Sequence, residues 1–259
     1  MNKSKIISAE LMKNRVITGD VYRMILKIPA GETAFESTNP GQFVNVYLEQ
    51  KDTLLPRPIS ICLVKNDEIH LVYKVVGKGT ERMALIKEGE KVRISTPLGN
   101  GYSCPSNKRV LLVAGGAGIP PMVALAMKLK NSNCHVVGLL GYRDDSFLVT
   151  DMEDCCDQVF VAMEGSTEGF KGNIVQLLQA GNYTAEECFA CGPKAMLKEV
   201  NNYCALKGIP LQVSLEERMG CGYGACVGCA VTINDPLPVK RRVCKDGPVF
   251  LGSQVVWDE

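Results

Sequence analysis

The stretch GCGYGACVGCA, residues 220–230, carries Cys221, Cys226 and Cys229, and most of the residues between them are glycine or alanine. A segment this poor in apolar side chains cannot build much of a core. Three thiols crowded into one loop must therefore be held by something other than packing. Cys244 follows later, giving the spacing Cys221-x4-Cys226-x2-Cys229-x14-Cys244.

That spacing is the plant-type [2Fe–2S] arrangement. Three thiolates curling round one small cluster need a tightly turned backbone, and Gly222, Gly224 and Gly228 are expected to supply positive φ values. Bare backbone also lets N–H groups point at the sulfurs and stabilise their charge. An oxidised centre with four thiolates carries about −2. Lys240, Arg241, Arg242 and Lys245 stand near Cys244 in sequence and are candidates to balance it; a solvated basic face is the plainer reading of the same run. Structural zinc is the alternative ligand set, although zinc knuckles usually pair cysteines as C-x2-C twice.

Twelve cysteines in 259 residues is a high count. The first nine residues are mixed polar and lack the long apolar centre of an export signal, so free thiols and metal ligands in a reducing cytoplasm are expected. A net charge of +1 gives no electrostatic reason to expect nucleic acid or a membrane surface as partner. No run of eighteen apolar residues is present, so no membrane-spanning helix is expected.

The chain divides into three zones, 1–102, 103–212 and 213–259. In the first, VYRMILKI (21–28), FVNVYL (43–48), ISICLV (59–64) and IHLVYKVV (69–76) are short β-branched runs separated by turn residues. They predict a small antiparallel β-barrel, interrupted by a helix near 79–86. TPLGNGY (96–102) is expected to close it. The second zone alternates strands such as RVLLVA (109–114) with helices such as the one starting at Pro120, which predicts a parallel α/β nucleotide-binding domain. The third zone has few large apolar residues, a short β pattern at 230–233 and a Pro/Lys/Arg loop before Cys244. It should need a metal centre or a neighbour to fold. The fold class is therefore multi-domain, α/β plus β.

Four further segments carry ligand chemistry. RPIS (57–60) sets Arg57 beside Pro58 at a strand entry, where a guanidinium fork can grip a pyrophosphate. VYKVVGKGT (72–80) ends a strand in glycines, with Thr80 expected as a helix N-cap and backbone N–H groups where phosphate binds. VAGGAGIPPM (113–122) fails the strict G-x-G-x-x-G fingerprint, yet it keeps a buried strand, a glycine turn and a helix start. FACGPKAM (189–196) places Cys191 at the carboxyl end of a strand, the edge where open α/β sheets bind ligands. His70 and His135 fall in strand patterns, and no acid pair is placed by a motif, so hydrolytic chemistry has no support. Cys155 and Cys156 read as a helix-end pair.

These segments in this order resemble the ferredoxin–NADP⁺ reductase superfamily. The resemblance implies that Arg57, Pro58, Ile59 and Ser60 lie along FAD and its pyrophosphate, that Val72, Tyr73 and Lys74 flank it, and that Gly79 and Thr80 hold phosphate. It implies that Gly115, Gly116, Gly118 and Pro120, with Cys191, Gly192 and Pro193, bind the nicotinamide nucleotide, Cys191 in a positioning role. Asp144 and Asp145 would repel a 2′-phosphate and Arg143 would attract one, which favours NAD. Hydride carries two electrons, an iron–sulfur cluster one, and a flavin handles both, so flavin belongs between them.

Over its full length the chain resembles the electron-transfer subunits of class B dihydroorotate dehydrogenases, most specifically in VCKDGPVFLGSQVVW (243–257). One departure is Tyr102, where that family often has Phe, expected as an aromatic near flavin. The resemblance implies an FMN-containing catalytic dihydroorotate dehydrogenase subunit as partner, in a two-plus-two heterotetramer of pyrimidine synthesis. Related subunits of ferredoxin reductases, sulfide dehydrogenases, hydrogenases and sulfite reductases share all three sites. A non-enzymatic redox-sensing metal module is the alternative of another class, and it predicts no flavin.

Overall fold

The computed structural model describes residues 5–49, 54–165 and 169–258. The first strands are β1 (Ile6–Thr18), β2 (Val21–Lys27), β3 (Phe43–Tyr47), β4 (Arg57–Lys65) and β5 (Glu68–Lys74); after helix α1 (Lys78–Ala84) comes β6 (Lys91–Ser95). Alternate residues point inward, as strand geometry requires: Met24 and Leu26 in β2, Ile69 and Leu71 in β5, Val92 and Ile94 in β6 are all buried. The order β1-β2-β5-β4-β3-β6 closes into a barrel through antiparallel pairing of β1 with β6. Its interior is one apolar cluster contributed by the barrel and α1 alone.

The segment 96–102 is a strap rather than a barrel-closing strand. Asn100 Nδ2 donates to the carbonyls of Lys245 and Asp246, and the Tyr102 hydroxyl donates to Ala190 O at 2.9 Å. Tyr102 is buried with its ring edge-on to Phe189. It joins the barrel to the sheet that follows and, contrary to expectation, does not line the cleft formed by Arg57, Pro58, Ile59 and Ser60.

The second body holds β7 (Arg109–Gly115), α2 (Pro120–Asn131), β8 (His135–Tyr142), α3 (Val149–Glu153), β9 (Gln158–Met163), β10 (Phe170–Lys171), α4 (Ile174–Ala180), β11 (Glu187–Cys191), α5 (Lys194–Lys207) and β12 (Leu211–Ser214). Neighbouring strands are parallel in the order β10-β9-β8-β7-β11-β12. Val110, Leu112 and Ala114 of β7 pack with α2 and α3, and Leu111 and Val113 pack with α4 and α5. The strand order reverses direction at β7, so the crevice between the ends of β7 and β11 is the topological switch point.

The last zone adds β13 (Ala230–Asn234), β14 (Pro238–Arg242) and β15 (Val249–Leu251). The Pro/Lys/Arg stretch read as a loop is strand β14, hairpin-paired with β13. β15 pairs antiparallel with β12 and so becomes the seventh strand of the nucleotide sheet. Cys229, Ile233, Val243, Cys244 and Val255 are buried in the same core as α4 and α5. Among the described residues no helix is long and apolar enough to cross a membrane.

Candidate functional site

Three clefts meet where the barrel faces the sheet. One, of about 450 Å³, is lined by Arg57, Pro58, Ile59, Ser60, Val72, Tyr73, Lys74 and Thr80. Every predicted flavin residue except Gly79 thus lines one surface. Gly79 lies beneath it: a Cβ there would stand 1.7 Å from Arg57 Nε, so only glycine lets the guanidinium settle over α1. Arg57 Nη1 donates to Leu55 O at 2.7 Å, which aims the fork. Tyr73 is buried; its hydroxyl donates to Asn14 Oδ1 at 3.1 Å and its ring stacks on Tyr22.

Thr80 is not the N-cap of α1. Gly77 occupies that place, and Thr80 sits three residues on. Its Oγ1 accepts from the N–H groups of Val76 and Gly77 and donates to Gly77 O, pinning the entry into the helix. The same cleft also takes Phe43, Ser214, Glu216, Met219 and Pro248, which the sequence reading missed. Ser214 ends a parallel strand and Glu216 follows it, the one signal that pointed to them.

The second cleft, about 640 Å³, opens at the carboxyl edge of the sheet and is lined by Gly115, Gly116 and Pro193 among others. Gly118 is buried beneath it, because a Cβ would stand 2.3 Å from Cys191 O. The glycine turn and the Cys191-Gly192-Pro193 corner are thereby interlocked. Cys191 is buried, and burial first, then the Glu216 carboxylate, pushes its thiol up. A neutral thiol suits positioning and not nucleophilic attack. Pro120 and Gly116 line the third cleft, about 360 Å³, with Arg143, Asp144 and Asp145. Gly192 faces a separate hollow beside Glu216 and Thr232. Lys74 and Ala117 line all three of the meeting clefts, which therefore adjoin.

The cysteine loop turns as its glycines demand, with one exchange. Gly222 (φ 77°) and Gly224 (φ 90°) take left-handed conformations, but Gly228 does not; Val227 (φ 59°) does so instead. Cys221 is half-buried, Cys226 exposed, and Cys229 and Cys244 buried; all twelve cysteines are free thiols. The N–H groups of Ala225 and Cys226 approach Cys221 Sγ at 3.2 and 3.4 Å. Burial raises the Cys221 thiol, but the N–H groups of Cys226 and Tyr223 outweigh it and bring it down to about 6. Cys244 is pushed up to about 12, first by burial and then by Cys229.

Cys221 thus interacts with Cys226, and Cys244 with Cys229. Among the described residues no three His, Cys, Asp or Glu side chains are grouped as a single-ion site would need. The C-x4-C-x2-C spacing with a distant fourth thiol, Cys244, fits a centre of two irons. Of the basic residues, Arg242 has its pKa raised first by Asp246 and then also by the nearby Cys244 and Cys229 sulfurs. Arg242 pairs with Asp246 and donates to Gly224 O at 3.0 Å, and Arg241 pairs with Asp235.

Residues 216–256 match the family described as the iron–sulfur cluster binding domain of dihydroorotate dehydrogenase B. The chain is 35% identical to the "Dihydroorotate dehydrogenase B (NAD(+)), electron transfer subunit" of Caldanaerobacter subterraneus subsp. tengcongensis, covering 97% of this chain and 98% of that one. It is 37% identical to the protein of the same name from Desulforamulus reducens, over 98% of this chain and all of the relative. The chain belongs to the dihydroorotate dehydrogenase B electron-transfer subunit family. Among solved structures, an NADH-dependent reduced ferredoxin-NADP oxidoreductase superposes with TM-score 0.86 at 30% identity, over 96% of this chain and 90% of that one. The ferredoxin reductase of carbazole 1,9a-dioxygenase, at 22% identity and TM-score 0.69, shares the fold over 81% of this chain and 69% of its own. Membership in the dihydroorotate dehydrogenase B family accounts for all three parts: reductase barrel, nucleotide sheet and cysteine segment.

Proposed function

We propose that this chain is the electron-transfer subunit of an NAD-linked dihydroorotate dehydrogenase. Its partner is an FMN-containing catalytic subunit that oxidises dihydroorotate to orotate, in a two-plus-two heterotetramer. Zones 1–102, 103–212 and 213–259 carry FAD, NAD and [2Fe–2S] in that order. The observation that carries this reading is that the flavin-side and nucleotide-side clefts adjoin at Lys74 and Ala117, with the cysteine loop attached to the same barrel. When bound, FAD exchanges hydride with NAD and single electrons with an iron–sulfur centre.

The protein's own residues do the holding. Arg57 presents two donors to the flavin pyrophosphate, with Gly79 making room for its guanidinium. Thr80 fixes the start of α1, whose first N–H groups lack intrahelical partners and would be free to hold phosphate. The interlocked turn of Gly115, Gly116 and Gly118 and the corner Cys191-Gly192-Pro193 hold the nicotinamide nucleotide, and neutral Cys191 keeps the corner in place. Asp144 and Asp145 disfavour a 2′-phosphate, which selects NAD over NADP. Cys221, Cys226, Cys229 and Cys244 hold the cluster, and exposed Cys226 sets its edge at the surface, within reach of a partner.

Co-expression with a candidate FMN subunit tests the proposal. A stable complex that forms NADH from NAD⁺ only when dihydroorotate is present supports it. Flavin and cluster both loaded, with no complex formed, would turn the reading toward a ferredoxin-linked oxidoreductase subunit, which the structural likeness at TM-score 0.86 favours as second.

A further inference from the structure

Asn45, at the centre of β3, has no exposed surface. Val44 and Val46 on either side point into the barrel core, so Phe43 and Asn45 share the outer face. Phe43 lines the flavin-side cleft. Asn45 Nδ2 donates to the Cys221 carbonyl at 3.0 Å, across 176 positions of sequence. Its backbone N–H donates to Ser95 Oγ at 2.9 Å. Its Oδ1 is buried and finds no partner among the described residues. A Cβ on Gly222 would stand 2.4 Å from Nδ2 and 2.6 Å from Oδ1.

The amide orientation follows from chemistry: a carbonyl only accepts, so the nitrogen must face Cys221. Burying an amide with one group left unbonded is unfavourable. Packing alone would be served by another valine. What the amide provides, and valine would not, is a grip on one peptide plane. Because that plane is trans, holding the Cys221 C=O toward the barrel turns the Gly222 N–H the opposite way.

We propose that Asn45 is a positioning residue for the iron–sulfur loop. It ties Cys221 to the barrel face that carries Phe43 in the flavin-side cleft. It thereby steadies the turn in which the N–H groups of Ala225 and Cys226 approach Cys221 Sγ. The inference rests on the four-cysteine cluster reading. Hydrogen bonds to the sulfurs are one of the determinants of cluster potential, so Asn45 acts on the potential through Cys221.

The test compares the purified full chain with its Asn45→Ala and Asn45→Asp variants. Iron, sulfide and FAD per chain are measured, with the midpoint potential by EPR-monitored titration and the rate of cluster bleaching under an iron chelator. FAD per chain is expected to stay at the parent level in both. Bleaching should quicken about tenfold, and the potential should move to more negative values. Aspartate keeps the shape but cannot donate, so it should behave like alanine. If either barrel variant folds poorly, Gly222→Ala, confined to the loop, should show the same labile, shifted cluster with FAD retained. Parent-like potential and chelator resistance in Asn45→Ala and Asn45→Asp would overturn the proposal. So would equal loss of FAD and cluster, which marks mere support of the barrel. A parent protein free of iron and sulfide sinks the cluster reading instead, a distinct failure.

Discussion

The barrel and the cysteine segment solve the same problem in opposite ways. The barrel closes on itself, and its buried cluster of Leu11, Met24, Leu71, Ile94 and their neighbours belongs to residues before Lys87 or to β6. The cysteine segment has no such interior. Its buried residues, Ile233, Val243 and Val255 among them, complete a core that β7, α4 and α5 began. A site built from strand faces is thus independent of its ligand, whereas a site built from a loop depends on its neighbour and on the metal it holds.

Loss of a cluster ligand is the strongest way to probe that difference. Cys226→Ser is expected to lower iron and sulfide per chain by tenfold or more (order of magnitude, ~10- to 100-fold) and to abolish dihydroorotate-dependent NADH formation in the complex. NADH should still bleach the flavin absorption. Equal loss of both would break the contrast. Core truncations come next, each expected to cost about 2–5 kcal/mol. In a thermal scan followed by flavin fluorescence and cluster absorption, Leu71→Ala should release FAD first and Ile233→Ala should lose the cluster first. If the two variants melt alike, the regions are one cooperative unit.

Gly118→Ala sharpens the comparison at the joint between them. A methyl group would press on Cys191 O, at 2.3 Å, and displace the nucleotide corner. NADH-driven flavin reduction should slow by about 10- to 100-fold with FAD and iron content unchanged. The smallest effect concerns the barrel alone. Burial holds the His70 imidazole below its ordinary 6.5, against the pull of Glu68. The unfolded chain then binds the extra proton, so stability is full above that value and falls as the pH drops below it. His70→Gln should flatten the acid side of a melting-temperature profile.

Residues that act through neighbours in sequence were legible. The four cysteines, RPIS and the two glycine turns declare themselves by spacing, and the structure lays RPIS along one cleft and interlocks one glycine turn with the Cys191 corner. The barrel strands 21–28 and 69–76 were legible by alternation. β1 was not, because among its thirteen residues only Ala9 and Leu11 are buried. Nor could spacing foretell β15, whose three residues become a strand only because β12 offers an edge. Tyr102 under the sheet is decided by a tertiary contact with Ala190, whereas Val227 in place of Gly228 and Gly77 in place of Thr80 are local exchanges that spacing does not distinguish. Asn45 is the extreme case: a polar letter in an apolar run, explained by a loop at the other end of the chain.

The antiparallel seat of β15 on β12 has a bearing on solubility. A naked sheet margin displays a row of unsatisfied amides and carbonyls that invites another polypeptide to add itself. Val249–Leu251 caps that margin with only three residues, bent away at once by the short helical turn Gly252–Gln254. Chains truncated ahead of Val249 would keep all four cysteines of the loop and yet be sticky, so the tail beyond Cys244 is a guard against self-association.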